Sequence, residues 1–411
     1  MDKKTEKKVK KSVKKGYNTA KKTAKKKGKL KQFYIIVAIL LLIAIAAGLA
    51  YYFVVLKPNM DVNNGAGNGT IVDGNTGEGG NNVDGEFGEV GMTVHFINVG
   101  QADCTVIELP DGKIMMIDAG ENNKSTETHI KSYLGTLGIK TIDHLMLTHA
   151  DSDHVGSMDF VLDNFDVKNI YMPKLKSSYK KKDKLGNIID DRYPEVPEKS
   201  NFGAIETKVY YDFYTRAEDE TYIENGVTMD CNITYNCGYF TIPGEGYEIE
   251  VFCMDESVYN KKFSSAKEKN EISPSVLVKY QGKQLLLTGD SCGSSHDNFT
   301  KIYRERYINK NMDFDVYKAA HHGSSTHDSN NIGFIKEIKT EYSILSCKEG
   351  KHNGIPSIDV MNNLKANGNK VYRTDECGDI KLELSTSGVI KFTADNNADG
   401  VFAESELKEA V

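Results

Sequence analysis

Six residues, His149-Ala150-Asp151-Ser152-Asp153-His154, bring two imidazoles and two carboxylates into one loop, directly after the apolar run Leu145-Met146-Leu147-Thr148. Imidazole and carboxylate at this density are the donors that divalent transition metals take. His149 and Asp151 alternate, so both side chains can point the same way. Asp153 and His154 sit at the turn into a following helix and can face a second ion. The competing reading is a polar loop whose Asp residues cap the next helix. It would suffice for a lone Asp-x-Asp, but two flanking histidines favour metal.

The same chemistry recurs at three distant strand ends. Lys113 to Ile117 finishes in Asp118-Ala119-Gly120, Gln284 to Leu287 in Thr288-Gly289-Asp290, and Val316 to Ala320 in His321-His322-Gly323-Ser324. Open α/β sheets place their sites at such ends. The supporting elements read as strands at Thr93 to Val99 and Cys104 to Leu109, a helix at Ser125 to Leu137, a strand at His144 to Leu147 and a helix at Val155 to Phe165. Strands follow at Gly246 to Phe252, Ser275 to Tyr280, Tyr342 to Cys347 and Lys370 to Tyr372, with a helix at Ile358 to Ala366. This alternation indicates an α/β layered domain. Residues 166 to 270 read as polar, Tyr-rich elaboration. Lys174, Lys176, Lys180, Lys181, Lys182 and Lys184 there form a basic stretch, read as a solvated loop ahead of an anion-binding one.

Charge divides the 411 residues. Residues 1–32 carry 15 Lys against Asp2 and Glu6, a net of +13, while the whole chain is −6. Between tail and acidic body lie 24 residues, Phe33 to Leu56, without a charge. As a helix this run would be about 36 Å long, against a hydrocarbon core of about 30 Å. We therefore expect a Lys-rich cytoplasmic tail over 1–32, a single transmembrane helix over 33–56 and the body outside the cell membrane, by the positive-inside bias. A cleaved signal peptide is the rival, since Gly48-Leu49-Ala50 has a cleavage-site spacing. A Gly/Asn-rich linker over 57–91 then tethers the body. Of seven cysteines, Cys104, Cys253 and Cys347 lie in apolar runs and read as buried. Cys231 and Cys237 are the pair that an oxidising exterior could join.

Together, Asn98-Val99-Gly100-Gln101-Ala102-Asp103, Ile117-Asp118-Ala119-Gly120, the 149–154 cluster, Leu286-Leu287-Thr288-Gly289-Asp290 and His321-His322-Gly323-Ser324 resemble the metallo-β-lactamase superfamily. The branch is similar to the soluble hydrolase domain of ComEC-type DNA-uptake competence proteins, over about 92–390. The resemblance implies a four-layer αββα sandwich. It implies metal ligands at His149, Asp151, Asp153, His154, Asp290 and His321, with Asp151 in the usual place of a second His. It puts Asp153 and His322 at the chemistry and Asp118 behind a ligand, orienting it. One further superfamily histidine has no counterpart, because no His occurs from 155 to 295. Either an oxygen ligand completes the first metal position or that position holds no metal. Related competence domains carry Gly-His-Pro where this chain has Gly354-Ile355-Pro356, and His352 is the residue that would compensate there.

One or two ions, zinc or manganese with iron also admitted by the harder ligand set, would activate water. The expected function is a membrane-anchored extracellular phosphoesterase or nuclease on a phosphate-containing substrate. Two alternatives stay open: a hydrolase of a cell-envelope ester or phosphodiester polymer, and a catalytically degenerate binding module. At the C-terminus, residues 391–411 carry a calcium-loop spacing, with Asp395, Asn397, Asp399, the Val401 carbonyl and Glu406 as oxygens around Gly400. A polar tail is the competing reading. Oligomeric state is left open.

Overall fold

In the computed structural model, residues 87–190, 202–293, 313–348 and 354–395 are described. They belong to one unit of the chain, Gly69–Val411. Fifteen of the described strands form two sheets. In chain order these are β1 (Val90–Phe96), β2 (Thr105–Glu108), β3 (Ile114–Ile117), β4 (Thr141–Met146), β5 (Asp166–Pro173), β6 (Asn232–Asn236), β7 (Tyr239–Ile242), β8 (Glu248–Phe252), β9 (Ser275–Tyr280), β10 (Lys283–Leu287), β11 (Val316–Lys318), β12 (Tyr342–Leu345), β13 (Lys370–Arg373), β14 (Ile380–Ser385) and β15 (Ile390–Ala394). The first sheet runs β6-β5-β4-β3-β2-β1-β14-β15 and the second β7-β8-β9-β10-β11-β12-β13. Each has a parallel half, β6 to β3 and β10 to β13, and an antiparallel remainder.

Period-two side chains create the layers. Ile107, Met115 and Ile117 point inward with Met92, Val94 and Phe96 to meet Ile249, Val251, Val276, Val278, Leu285 and Leu287 of the second sheet. Their neighbours Val106 and Met116 point outward, packing with Ile130 and Leu134 of α1 (Lys124–Thr136), Met158 and Val161 of α2 (Met158–Asn164) and Tyr210 and Phe213 of α3 (Lys208–Glu218). Leu277, Leu286 and Tyr317 cover the other outer face with Phe334 and Ile335 of α4 (Ile332–Ile338) and Val360 and Leu364 of α5 (Ile358–Ala366). Helix, sheet, sheet, helix is the αββα order expected. Each fully buried Phe, Leu or Ile contributes about 1.5–3 kcal/mol.

Several expectations are adjusted. The helix expected over Val155 to Phe165 is two, Ser152–Val155 and Met158–Asn164. They part at Gly156, where a Cβ would lie 2.3 Å from Asn122 N and Ser152 O and 2.4 Å from Gly120 O. The polar region after 166 supplies β5, β6 and the amphipathic α3, so it is built into the first sheet and its cover. β15 closes that sheet, which carries the fold to Ala394. Cys231 and Cys237 are free. They flank β6 at its two ends, about 20 Å apart along the strand, far beyond disulfide reach. Cys104, Cys253 and Cys347 are buried as expected.

The expected membrane span over 33–56, the linker to residue 86, His352 and calcium-loop residues 396–411 lie outside the described residues. No helix among the described residues is long and apolar enough to cross a membrane.

Glu220 gives a pH test of the packing beside α3. Burial raises its pKa to about 7, and Asp166 and Asp163 add to the rise against the opposing Arg216. An acid with a raised folded pKa loses stability as pH climbs from its unfolded value, about 4.5, through 7. Glu220→Gln should remove that loss. The variant's advantage in thermal midpoint should open between pH 4.5 and 7 and hold above, at no more than about 1 kcal/mol because the group is half exposed. A constant difference across this range would contradict the assignment.

Candidate metal centre

Four of the ligand-bearing segments leave carboxyl ends of the parallel strands: Asp118 after β3, the 149–154 loop after β4, Asp290 after β10 and His321-His322 after β11. Two glycines let these loops close. Gly156 presses the 149–154 loop against Gly120, as above. Gly289, at φ 49°, lies against Thr148, whose Cβ, Cγ2 and Oγ1 would be 3.0–3.1 Å from an added Cβ. His321 N donates to Gly289 O at 2.9 Å, joining the β10 and β11 loops.

At the centre, Asp153, His154, Asp290 and His322 each offer one ligand atom, all four atoms within 4.8 Å of one another. His154 Nε2 is 3.1 Å from Asp290 Oδ1. His322 Nε2 is 3.2 Å from Asp153 Oδ2 and 3.6 Å from Asp290 Oδ1.

Hydrogen bonds behind the ligands set the tautomers. His154 Nδ1 donates to Asp118 Oδ2 at 2.7 Å, leaving Nε2 to face inward. Asp118 also accepts from Thr148 N at 2.8 Å and Thr148 Oγ1 at 2.7 Å, which fixes its carboxylate behind the His154 ring. His322 Nδ1 donates to Ser346 O at 2.8 Å, with Asp103 Oδ1 3.3 Å away on the same side. Since Thr148 Oγ1 gives its proton to Asp118, it accepts from His149 Nδ1 at 3.1 Å. The lone pair of His149 is then on Nε2, 3.7 Å from Asp151 Oδ2 and 3.9 Å from Asp290 Oδ2.

This arrangement fits a divalent cation. His149 Nε2, His154 Nε2 and Asp290 Oδ1 are fully buried and have no hydrogen-bond partner. Buried imidazole nitrogens aimed at carboxylate oxygens need a proton or a metal between them. Titration follows the same crowding. Burial opposes charge on His322, but Asp290, Asp103 and Asp153 raise its pKa to about 10. Burial, with His154 nearby, lowers His149 to about 4. Asp153 resists burial and falls to about 2 beside His322 and His154.

The fit is unequal on the two sides of Asp290. Asp151 and His149 do not join the compact group. Asp151 Oδ1 pairs with the Lys269 ammonium. The Asn270 carboxamide, set to donate, reaches Asp151 Oδ2 at 3.1 Å. The sequence placed His321 among the ligands and His322 beside the substrate. The structure brings His322 into the four-ligand group and leaves His321 more exposed, with Nε2 3.7 Å from Asp290 Oδ2. Strand alternation could not decide between them, because both residues are left-handed, at φ 49° and φ 56°. Each such conformation costs about 1–2 kcal/mol in a residue other than glycine, and outliers of this kind gather at functional sites.

Sequence reading gave no role to Asp103, Lys318 or Lys269. Lys318 Nζ lies 2.8 Å from Asp103 Oδ2, both side chains buried. Its signal was a lysine inside an apolar strand, Val316-Tyr317-Lys318-Ala319. Lys269 carried none. In the basic stretch, Lys174 pairs with Glu256 and Lys176 lies over the Phe202 ring at 4.4 Å, while Lys181–Lys182 form a short strand against Ile188–Asp190. Asp395 Oδ2 accepts from Asp379 N at 3.1 Å.

Residues 97–224 match the family model described as the metallo-beta-lactamase superfamily. The chain is 22% identical over 309 residues to ComE operon protein 3 of Bacillus subtilis (strain 168), covering 72% of this chain and 33% of that protein. It therefore spans about a third of that relative's length. Among solved structures, the metallo-beta-lactamase fold protein YhfI from Bacillus subtilis aligns with a TM-score of 0.39 and 10% identity, over 73% of this chain and 99% of that one. CmlA, a diiron β-hydroxylase from Streptomyces venezuelae, aligns with a TM-score of 0.39 and 13% identity, over 72% and 54%.

Proposed function

We propose that this chain, a metallo-β-lactamase-superfamily hydrolase over its matched residues, cleaves a phosphoester, with a nucleic acid or another phosphodiester polymer as substrate. The observation that carries the reading is the convergence of Asp153, His154, Asp290 and His322 with buried imidazole nitrogens left bare. We assign these four as metal ligands, His149 and Asp151 as their neighbours across Asp290, and His321 to the more exposed, substrate side. Zinc, manganese and iron all suit a set of two imidazoles and two carboxylates.

A divalent ion held there supplies Lewis-acid polarisation and a lowered pKa for water. The chain's own residues prepare the rest. Asp118 fixes the His154 ring, and Ser346 O fixes His322, so neither ring turns when substrate enters. His149, kept neutral by burial, presents the bare lone pair of Nε2 to the site. Lys269 adds positive charge on Asp151. Such a site favours anionic oxygens, which supports a phosphoester over a neutral ester. The resemblance to the hydrolase domain of DNA-uptake competence proteins adds weight to a nucleic acid. The uncharged run over 33–56 behind its lysines supports anchoring in the cell membrane with this domain outside.

The test is a screen of bis(4-nitrophenyl) phosphate, 4-nitrophenyl phosphate, 4-nitrophenyl acetate and single- and double-stranded oligonucleotides with manganese, zinc or ferrous ion. Metal-dependent turnover of the phosphodiesters, abolished by chelator, is expected. Turnover of the acetate ester alone would contradict the reading.

A further inference from the structure

We propose that this centre binds one transition-metal ion, and that the Lys269 ammonium stands where the superfamily's second ion would, gripping an oxygen of the phosphate substrate. The inference rests on the hydrolase reading and narrows it.

Three observations on the Asp151 side of Asp290 carry it. First, among the described residues one four-membered ligand group converges, Asp153, His154, Asp290 and His322; the other cluster, Asp103, Asp118 and His154, lies behind it, with Asp118 bonded to His154 Nδ1 and Asp103 paired with Lys318. His149 and Asp151 stand outside it, and the histidine that would complete a second set is missing from 155 to 295. Secondly, both oxygens of Asp151 are already engaged, Oδ1 by Lys269 and Oδ2 by the Asn270 carboxamide at 3.1 Å. A second ion would have to displace a cation already resting on its own ligand. Thirdly, Lys269 is held in place. It sits on the helix Ala266–Asn270, whose first turn is closed by a capping box between Ser265 and Glu268. Its side chain is 14% exposed and that of Asp151 is 17% exposed, so the pair faces the site more than solvent.

Chemically, a lysine is a compact point charge with three donors. One is used by Asp151, which leaves others for an anionic oxygen, as lysines serve at many phosphate sites. A metal held by the four converging side chains and an ammonium resting on Asp151 would together offer positive charge to two oxygens of one phosphoryl group. His149 Nε2, 3.9 Å from Asp290 Oδ2, stands outside the four-ligand group.

The experiment uses the full chain, purified in detergent without chelator, saturated in turn with manganese or zinc and freed of excess metal. Elemental mass spectrometry then counts ions per chain, and calorimetry measures inorganic phosphate binding. One ion per wild-type chain is expected. Lys269→Met should keep that ion, which also reports an intact centre, while weakening phosphate by about tenfold or more, with partial recovery in Lys269→Arg. Two ions per wild-type chain would overturn the inference and leave the hydrolase reading standing. No ion retained or regained would overturn both. One ion with unchanged phosphate affinity in Lys269→Met would overturn the role given to the ammonium.

Discussion

Asp153→Asn should lower metal-dependent phosphodiester hydrolysis by about 10³-fold, because Lewis-acid stabilisation is worth several kcal/mol and each 1.36 kcal/mol is tenfold in rate. The side chain is central for two reasons. Its Oδ2 is one of the four converging ligand atoms and lies 3.2 Å from His322 Nε2. An amide keeps the shape but brings a neutral oxygen and a pair of donors to a place that wants charge. The fold should persist, since Asp153 is anchored by its backbone: its carbonyl accepts from Asp103 N at 3.1 Å. Thermal unfolding beside the rate assay separates the two effects. Turnover within tenfold of wild type would remove Asp153 from the reacting centre.

Lys318→Met should have the largest effect on stability, a loss of about 3–5 kcal/mol, on the order of 10 °C in Tm. The lysine is 2% exposed, with Nζ 2.8 Å from Asp103 Oδ2 and 3.2 Å from Ala319 O. Without it, Asp103 keeps a charge that burial opposes and that Lys318, with His322, now holds well below the usual carboxylate range. Asp103→Asn combined with Lys318→Met removes both charges and should recover much of the loss. A destabilised single variant and a recovered double variant identify a paired buried charge. Equal loss in both would point instead to the volume of the lysine stem.

The strand ends that carry ligands were legible because each ligand abuts an apolar run, and a strand's periodicity is local. The cluster at 149–154, Asp118 and Asp290 could be read this way. The layers followed from the same alternation: Val106 and Met116 face out and Ile107 and Met115 face in. What could not be read depended on distant partners. Lys318 meets Asp103, and Lys269 meets Asp151, only after two sheets have stacked. The choice between His321 and His322 turned on backbone dihedrals that invert the strand's alternation. The region after 166 misled for a related reason. β6 alternates exposed and half-buried residues up to the buried Asn236 and α3 mixes tyrosines with charges, so neither shows a strong apolar signature until it covers the first sheet.

The most direct test of the central claim counts transition metal per chain in wild type and Asp290→Ala, with phosphodiester turnover measured on the same preparations. Asp290 Oδ1 lies 3.1 Å from His154 Nε2 and 3.6 Å from His322 Nε2, so its loss opens the centre of the ligand group. Metal retained by wild type, and metal and turnover lost together in the variant, is the predicted result. A variant that keeps its metal and its turnover, or a wild type that takes up no transition metal on supplementation, would contradict a hydrolase built on these residues.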